Sequence, residues 1–141
     1  MGATDYDVLV IGGGPGGSAS SSFLAKAGKK VLLLEKEVFP RFHIGESLLP
    51  YNRRIFRELG LTEIIEAENF PKKFGAQFYI ADGSRHQGFV FQNGVFTKEK
   101  VALQVERAKF DHILLKHARS LGVDAREGWT VHKFREFADH V

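Results

Sequence analysis

The stretch that decides the fold reads Asp5-Tyr6-Asp7-Val8-Leu9-Val10-Ile11-Gly12-Gly13-Gly14-Pro15-Gly16-Gly17, runs on through the small residues 18–22, and closes with Val31-Leu32-Leu33-Leu34-Glu35-Lys36. An apolar run, a glycine turn, a helical pattern and a second apolar run predict strand, turn, helix and strand, the βαβ start of an α/β fold with a central parallel sheet. Gly12, Gly14 and Gly17 satisfy G-x-G-x-x-G. Gly12 permits the tight turn out of the strand, Gly14 lets the main chain approach a pyrophosphate, and Gly17 lets helix and strand pack closely. The helix then aims its first N–H groups and its positive dipole end at the phosphates. Gly12, Gly13, Gly14, Pro15, Gly16 and Gly17 are therefore the candidate phosphate cradle. Glu35, 23 residues beyond Gly12 with Lys36 beside it, stands where a carboxylate accepts both ribose hydroxyls and repels a 2′-phosphate. The nucleotide expected is an unphosphorylated adenosine type. The alternative is a glycine-rich turn that binds nothing, and the flanking strands, helix and terminal acid weigh against it.

Composition narrows the rest. The 141 residues suit one domain, and 43% hydrophobic with 26% charged residues is the balance of a folded chain rather than a disordered one. No apolar run approaches the roughly 20 residues of a membrane helix, and the N-terminus lacks the order of a signal peptide, which points to the cytoplasm. The absence of cysteine excludes disulfides, thiol catalysis and thiolate metal sites. A net charge of +3, with Lys and Arg scattered among acids, offers no basic stripe for nucleic acid. His86, His112, His117, His132 and His140 lack the spacing of a metal site, and no Ser-His-acid set is visible. Thirteen Phe against one Trp suggest a Phe-rich core or pocket, with the core the favoured reading.

Beyond Glu35 the pattern predicts an irregular segment at 38–47 containing Pro40, then a helix capped by Ser47, striped by Leu48, Leu49, Ile55, Phe56 and Leu59 and stopped by Gly60. A short helix follows around Thr62 to Ile65, then a strand at 75–80, a turn at Asp82-Gly83, more sheet at 88–91 and a loop at 93–100. Residues 101–105 read as a strand. Phe110, Ile113, Leu114, His117, Ala118 and Leu121 mark a helix ended by Gly122, and 123–125 and 130–137 read as the last strands, with Val141 inside an apparent strand.

Two further blocks, Phe39-Pro40-Arg41 with Gly45-Glu46-Ser47 and Gln104-Val105-Glu106-Arg107-Ala108-Lys109-Phe110-Asp111, complete a pattern in three ordered parts. The chain resembles the halogenase-like and geranylgeranyl-reductase-like branch of the FAD-dependent oxidoreductases built on the p-hydroxybenzoate hydroxylase plan. The resemblance implies a Rossmann-like FAD/NAD(P)-binding domain over residues 1–141 and FAD as cofactor, with NAD(P)H or reduced flavin from a partner reductase as electron source. It places Arg41, Gly45, Glu46 and Ser47 in the loop beside the flavin and its pyrophosphate, and Gln104 and Arg107 on the opposite side. A guanidinium forks onto a phosphate oxygen pair, and a cation at a helix start needs a nearby anion. Val131 corresponds to a strand bordering the adenine. Lys73, in Lys72-Lys73-Phe74-Gly75-Ala76, matches the halogenase lysine whose amine captures or positions hypohalous acid for attack on an aromatic ring. Adjacent Lys72 leaves two candidate amines and relatives not known to halogenate share the pattern, so a plain surface lysine is the favoured reading and halogenation is one candidate activity. The paired tryptophans of halogenases are missing, since Trp129 stands alone.

Relatives of this kind are two to three times longer, so the chain is expected to be an N-terminal, incomplete portion without substrate domain or C-terminal flavin segment. The function expected is the FAD-binding portion of a monooxygenase- or halogenase-like oxidoreductase acting on an organic, hydrophobic or aromatic small molecule. Three alternatives stand beside it: a geranylgeranyl reductase-like reductase of isoprenoid double bonds, a non-catalytic nucleotide-binding module, and an NAD-binding domain without flavin, which Glu35 permits and residues 39–47 disfavour.

Overall fold

A computed structural model describes residues 5–95 and 97–138. In chain order the elements are β1 (Val8–Ile11), α1 (Pro15–Lys26), β2 (Val31–Glu35), β3 (Glu46–Ser47), α2 (Asn52–Leu59), α3 (Thr62–Ala67), β4 (Lys72–Lys73), β5 (Gly75–Tyr79), β6 (His86–Val90), a 3-10 turn at Phe91–Asn93, β7 (Ala102–Val105), α4 (Arg107–Ser120) and β8 (Asp124–Glu127). They divide between two units, one formed by residues up to His43 with those from Ala108 onward, the other by Ile44–Arg107.

The first unit is built on a parallel sheet in the order β1-β2-β8. Val8 to Ile11 pair with Val31 to Leu34, and Leu32 to Glu35 pair with Asp124 to Glu127. The central strand β2 is buried at Val31, Leu33 and Glu35, as a strand with neighbours on both edges and cover on both faces must be. Its core gathers Val31, Leu33, Phe39, Leu115, Ala118 and Val123. Helix α1 approaches the sheet on serines rather than on large apolar groups. Ser18, Ser21 and Ser22 are buried, and each hydroxyl donates to a carbonyl one turn back: Gly13 at 2.8 Å, Gly17 at 2.6 Å and Ser18 at 2.8 Å. Small volume allows the close approach, and the local hydrogen bonds remove the cost of burying the hydroxyls.

The second unit carries an antiparallel sheet in the order β3-β7-β4, with Glu46 opposite Val105, Ser47 opposite Gln104, Lys72 opposite Leu103 and Lys73 opposite Ala102. A separate hairpin pairs β5 with β6, turned where the Ser84 N–H donates to Asp82 Oδ1 at 2.8 Å. Helices α2 and α3 are joined by Arg53 on Glu66 at 2.6 Å, and Arg57 reaches Glu99 at 2.5 Å. The Arg53 hydrogen bond is the largest influence on Glu66 and holds its carboxyl below the usual range.

Most expected elements are present, and the helix stops at Gly28, Gly60 and Gly122 have left-handed backbones. Three expectations are corrected. Ser47 does not cap α2, whose N-cap is Tyr51. Pro50 disfavours helical geometry in the residue before it, so Leu48 and Leu49 stay outside the helix and Ser47 joins β3. No strand spans residues 130–137: alternation sets faces but supplies no pairing, this stretch pairs with no described strand, and Phe134 and Phe137 are exposed. Val131 lies in that stretch and so sits on no strand. The strand expected at Val141, like His140, lies outside the described residues.

A Cβ on Gly17 would lie 1.9 Å from the Gly12 carbonyl oxygen, whereas one on Gly16 would meet nothing within 4 Å. Gly17→Ala is therefore expected to lower unfolding free energy by about 2 kcal/mol or more, through forced backbone displacement. Gly16→Ala inside the same helix is expected to raise it by about 0.5–1 kcal/mol. Urea unfolding of the two variants checks the opposite signs.

Candidate functional site

The glycine turn begins where β1 ends. The Gly12 N–H bonds to the Leu34 carbonyl at 2.8 Å, and Gly12 turns the chain with φ at +98°. The next amide, on Gly13, donates to Glu35 Oε2 at 2.6 Å, and Glu35 Oε1 accepts the Glu37 N–H at 2.9 Å. The carboxylate read from sequence as a ribose acceptor is thus buried and also pins the turn to the second strand. Each of its oxygens keeps further lone-pair capacity for a hydroxyl donor. Gly14 is the extended N-cap of α1 and Pro15 the first helical residue, and no side chain caps this end. A Cβ on Gly14 would meet only Arg41 Nη2, at 3.9 Å.

Arg41 is the cation of this turn. Its guanidinium lies over the Phe39 ring, 4.6 Å from the centroid, with its side chain 14% exposed. Nε is 2.7 Å from Glu37 Oε2, and Nη1 is 3.4 Å from Oδ2 of the fully buried Asp111. By distance these are ion pairs, yet neither nitrogen has an aligned hydrogen bond. These two contacts therefore carry Coulomb attraction rather than directional hydrogen bonding. Nη2, on the other side of the guanidinium, is the nitrogen nearest Gly14, and a donor beside a glycine turn at an uncapped helix start fits an anion such as a diphosphate.

Sequence reasoning missed Glu127. It stands in register with Glu35 on the adjacent strand. Its Oε1 accepts the Phe39 N–H, and its Oε2 accepts from Arg119 Nη2 at 2.8 Å. Burial, the largest influence, pushes this carboxyl up. The Phe39 amide and Arg119 together outweigh burial and hold it below the usual range. The available signal was an acid followed by glycine at a strand end, repeating the position of Glu35.

In the second unit the ladder of β3, β7 and β4 brings the other motif residues together. Arg107 Nη1 donates to Glu46 Oε1 at 2.7 Å and is nearly buried, so the cation at the start of α4 has its anion. Ser47 Oγ donates to Gln104 Oε1 and accepts from Lys73 Nζ at 2.7 Å. The order is forced, because an ammonium only donates and the hydroxyl has one proton to give. Lys72 lies 3.6 Å from Glu66 instead. Gly45 lies close against β7, since a Cβ there would sit 3.0 Å from the Val105 carbonyl oxygen. Lys36 is exposed, and Val131 is not brought to either group. Among the described residues no group of three or more His, Cys, Asp or Glu could hold a metal, and no helix is long and apolar enough to cross a membrane.

A βαβ unit with an open glycine turn and an acid ending its second strand defines a dinucleotide-binding fold. Residues 5–141 match the family described as FAD binding domain, and the chain belongs to that family. It is 44% identical over 140 residues to the 1H-pyrrole-2-carbonyl-[peptidyl-carrier protein] chlorinase of Pseudomonas fluorescens, a match covering 88% of this chain and 31% of that protein. Among solved structures it is similar to the myxobacterial chondrochloren halogenase CndH, with 46% identity and a TM-score of 0.79 over 87% of this chain and 28% of that one. It is also similar to a flavoprotein/dehydrogenase from Cytophaga hutchinsonii, with 39% identity and a TM-score of 0.85 over 94% and 32%. The chain spans less than a third of the length of the curated relatives it matches.

Replacing Glu35 by Gln sets an amide NH2 against one of two main-chain N–H groups. Glu35→Gln is expected to lower unfolding free energy by about 1–3 kcal/mol, the cost of a buried donor left without an acceptor, as read by urea titration.

Proposed function

We propose that the chain is the FAD-binding part of a halogenase-type flavin-dependent oxidoreductase acting on an organic, hydrophobic or aromatic small molecule. The observation that carries this reading is Lys73, whose amine is tethered at 2.7 Å to Ser47 of the Gly45-Glu46-Ser47 motif while neighbouring Lys72 turns to Glu66. In this reading residues 12–17 and the first turn of α1 hold the diphosphate with Arg41, and Glu35 holds the ribose. Gly45, Glu46, Ser47, Gln104 and Arg107 supply the remaining cofactor contacts. Bound FAD would supply two-electron redox chemistry, with electrons from NAD(P)H or from reduced flavin delivered by a partner reductase. Lys73 is the candidate catalytic residue. Its amine, oriented by the Ser47 hydroxyl, holds hypohalous acid by hydrogen bonding for attack by an electron-rich ring.

Reduction of an isoprenoid double bond is the second reading; the likeness to a flavoprotein/dehydrogenase supports redox chemistry without halide and names no substrate. The two separate on product. The chain, exchanged for the matching segment of the Pseudomonas fluorescens chlorinase so that the remaining two thirds of that protein are present, is supplied with FAD, a flavin reductase, NADH, oxygen, bromide or chloride, and a phenol or a pyrrole-2-carbonyl thioester, and products are read by mass spectrometry. The expected outcome is a halide-dependent product that Lys73→Ala reduces by at least about a hundredfold, with the bound-FAD visible spectrum unchanged. A reduced alkene from an isoprenoid substrate, with no halide dependence, would replace this reading by the second. Bound FAD without any turnover would leave a nucleotide-binding module.

A further inference from the structure

Glu127 is a mostly buried acid beside an anion-binding turn, which by charge alone is unfavourable for a diphosphate. Its contacts give it another task. Oε2 is held by Arg119, whose Nε and Nη2 also fork onto the Ala125 carbonyl at 3.2 and 2.8 Å. This leaves Oε1 fixed at the end of β8, where it accepts the Phe39 N–H. Phe39 is buried in the same core as Val31, Leu33 and Leu115, and its ring is the platform for Arg41. The acids beside Arg41 do not aim it, because Glu37 and Asp111 attract the guanidinium without aligned hydrogen bonds. What sets its direction is the ring beneath it and the main chain that carries the ring.

We infer that Glu127 is a positioning residue for diphosphate recognition: by fixing the Phe39 amide it sets the ring on which Arg41 lies, and so aims the guanidinium across Gly14. The inference builds on the reading that Arg41 takes the dinucleotide's diphosphate. Position and charge predict opposite results. Glu127→Asp keeps the charge but withdraws the acceptor by one methylene, while Glu127→Gln loses the charge and turns its NH2 to Arg119, which keeps the Ala125 carbonyl, so that its carbonyl oxygen stays on the Phe39 N–H. A purely electrostatic role would leave Asp unchanged and make Gln bind an anion more tightly.

The test is titration of the 15N-labelled chain with ADP and, separately, with adenosine, which has the base and ribose but no phosphate. Arg41→Ala examines the underlying reading and should weaken ADP by about tenfold or more with adenosine unchanged. Glu127→Asp should weaken ADP by about fivefold with adenosine unchanged, and Glu127→Gln should stay within about twofold of the parent. Phe39→Leu, which keeps an apolar side chain in the core but removes the ring, should show the same ADP-selective loss, and it decides the matter if Glu127→Asp does not fold. If Arg41→Ala weakens ADP while Glu127→Asp and Phe39→Leu do not, the role of Glu127 is overturned and that of Arg41 stands. Equal losses for ADP and adenosine in Glu127→Asp reduce Glu127 to a structural part. Unchanged ADP affinity in Arg41→Ala, or no ADP binding by the parent chain, removes both.

Discussion

The hydrogen bond from the Gly13 amide to Glu35 Oε2, 2.6 Å long and out of solvent, is the constraint on which the first unit's site depends. Parallel strands β1 and β2 are already paired, so the end of β1 is fixed in height against Leu34 and Glu35. Leaving that end, the chain must reverse into α1 within the span of the glycines. The amide of Gly13 would be a buried donor without a partner were the carboxylate not there, and such a donor is costly. One side chain therefore ends the second strand, satisfies the turn and keeps lone-pair capacity for further donors. The close approach of Gly17 to Gly12 completes the turn from the other side.

The parts of this arrangement that sequence made legible are those with a local cause. A glycine at +98°, a proline at the first helical position and a row of small serines each act within a few residues of themselves, and their pattern is readable. Ser47 was misread for the converse reason. A hydroxyl before an apolar stripe is a good cap in isolation, but the choice between capping and pairing was made by Pro50 and by Gln104, 57 residues away. Residues 130–137 fail similarly, since alternation specifies faces and says nothing of whether a strand edge is available.

Adjacent lysines show what a short strand adds to a motif. In sequence Lys72 and Lys73 are equivalent cations. Once both lie in β4 their side chains leave opposite faces, and one finds a carboxylate while the other finds a hydroxyl. The period of two, applied over only two residues, separates an ion pair from a polar tether. No propensity argument reaches that distinction, because it depends on the face on which β3, across β7, presents Ser47.

The acids around Arg41 invite the objection that they would compete with a diphosphate for the guanidinium. The geometry answers it. A guanidinium locked in an aligned fork with buried Asp111 would lose that fork on taking another anion, and truncating such a desolvated pair costs about 2–5 kcal/mol. Here Nη1 stands 3.4 Å from Oδ2 and off the hydrogen-bond axis, so little directional bonding would be lost. Coulomb attraction, which falls slowly with distance and ignores angle, keeps the cation in the unit through its Nε and Nη1 side. A pair of off-axis carboxylates on the Nε and Nη1 side thus makes Arg41 tolerable as a mostly buried charge, while Nη2 is the nitrogen nearest Gly14.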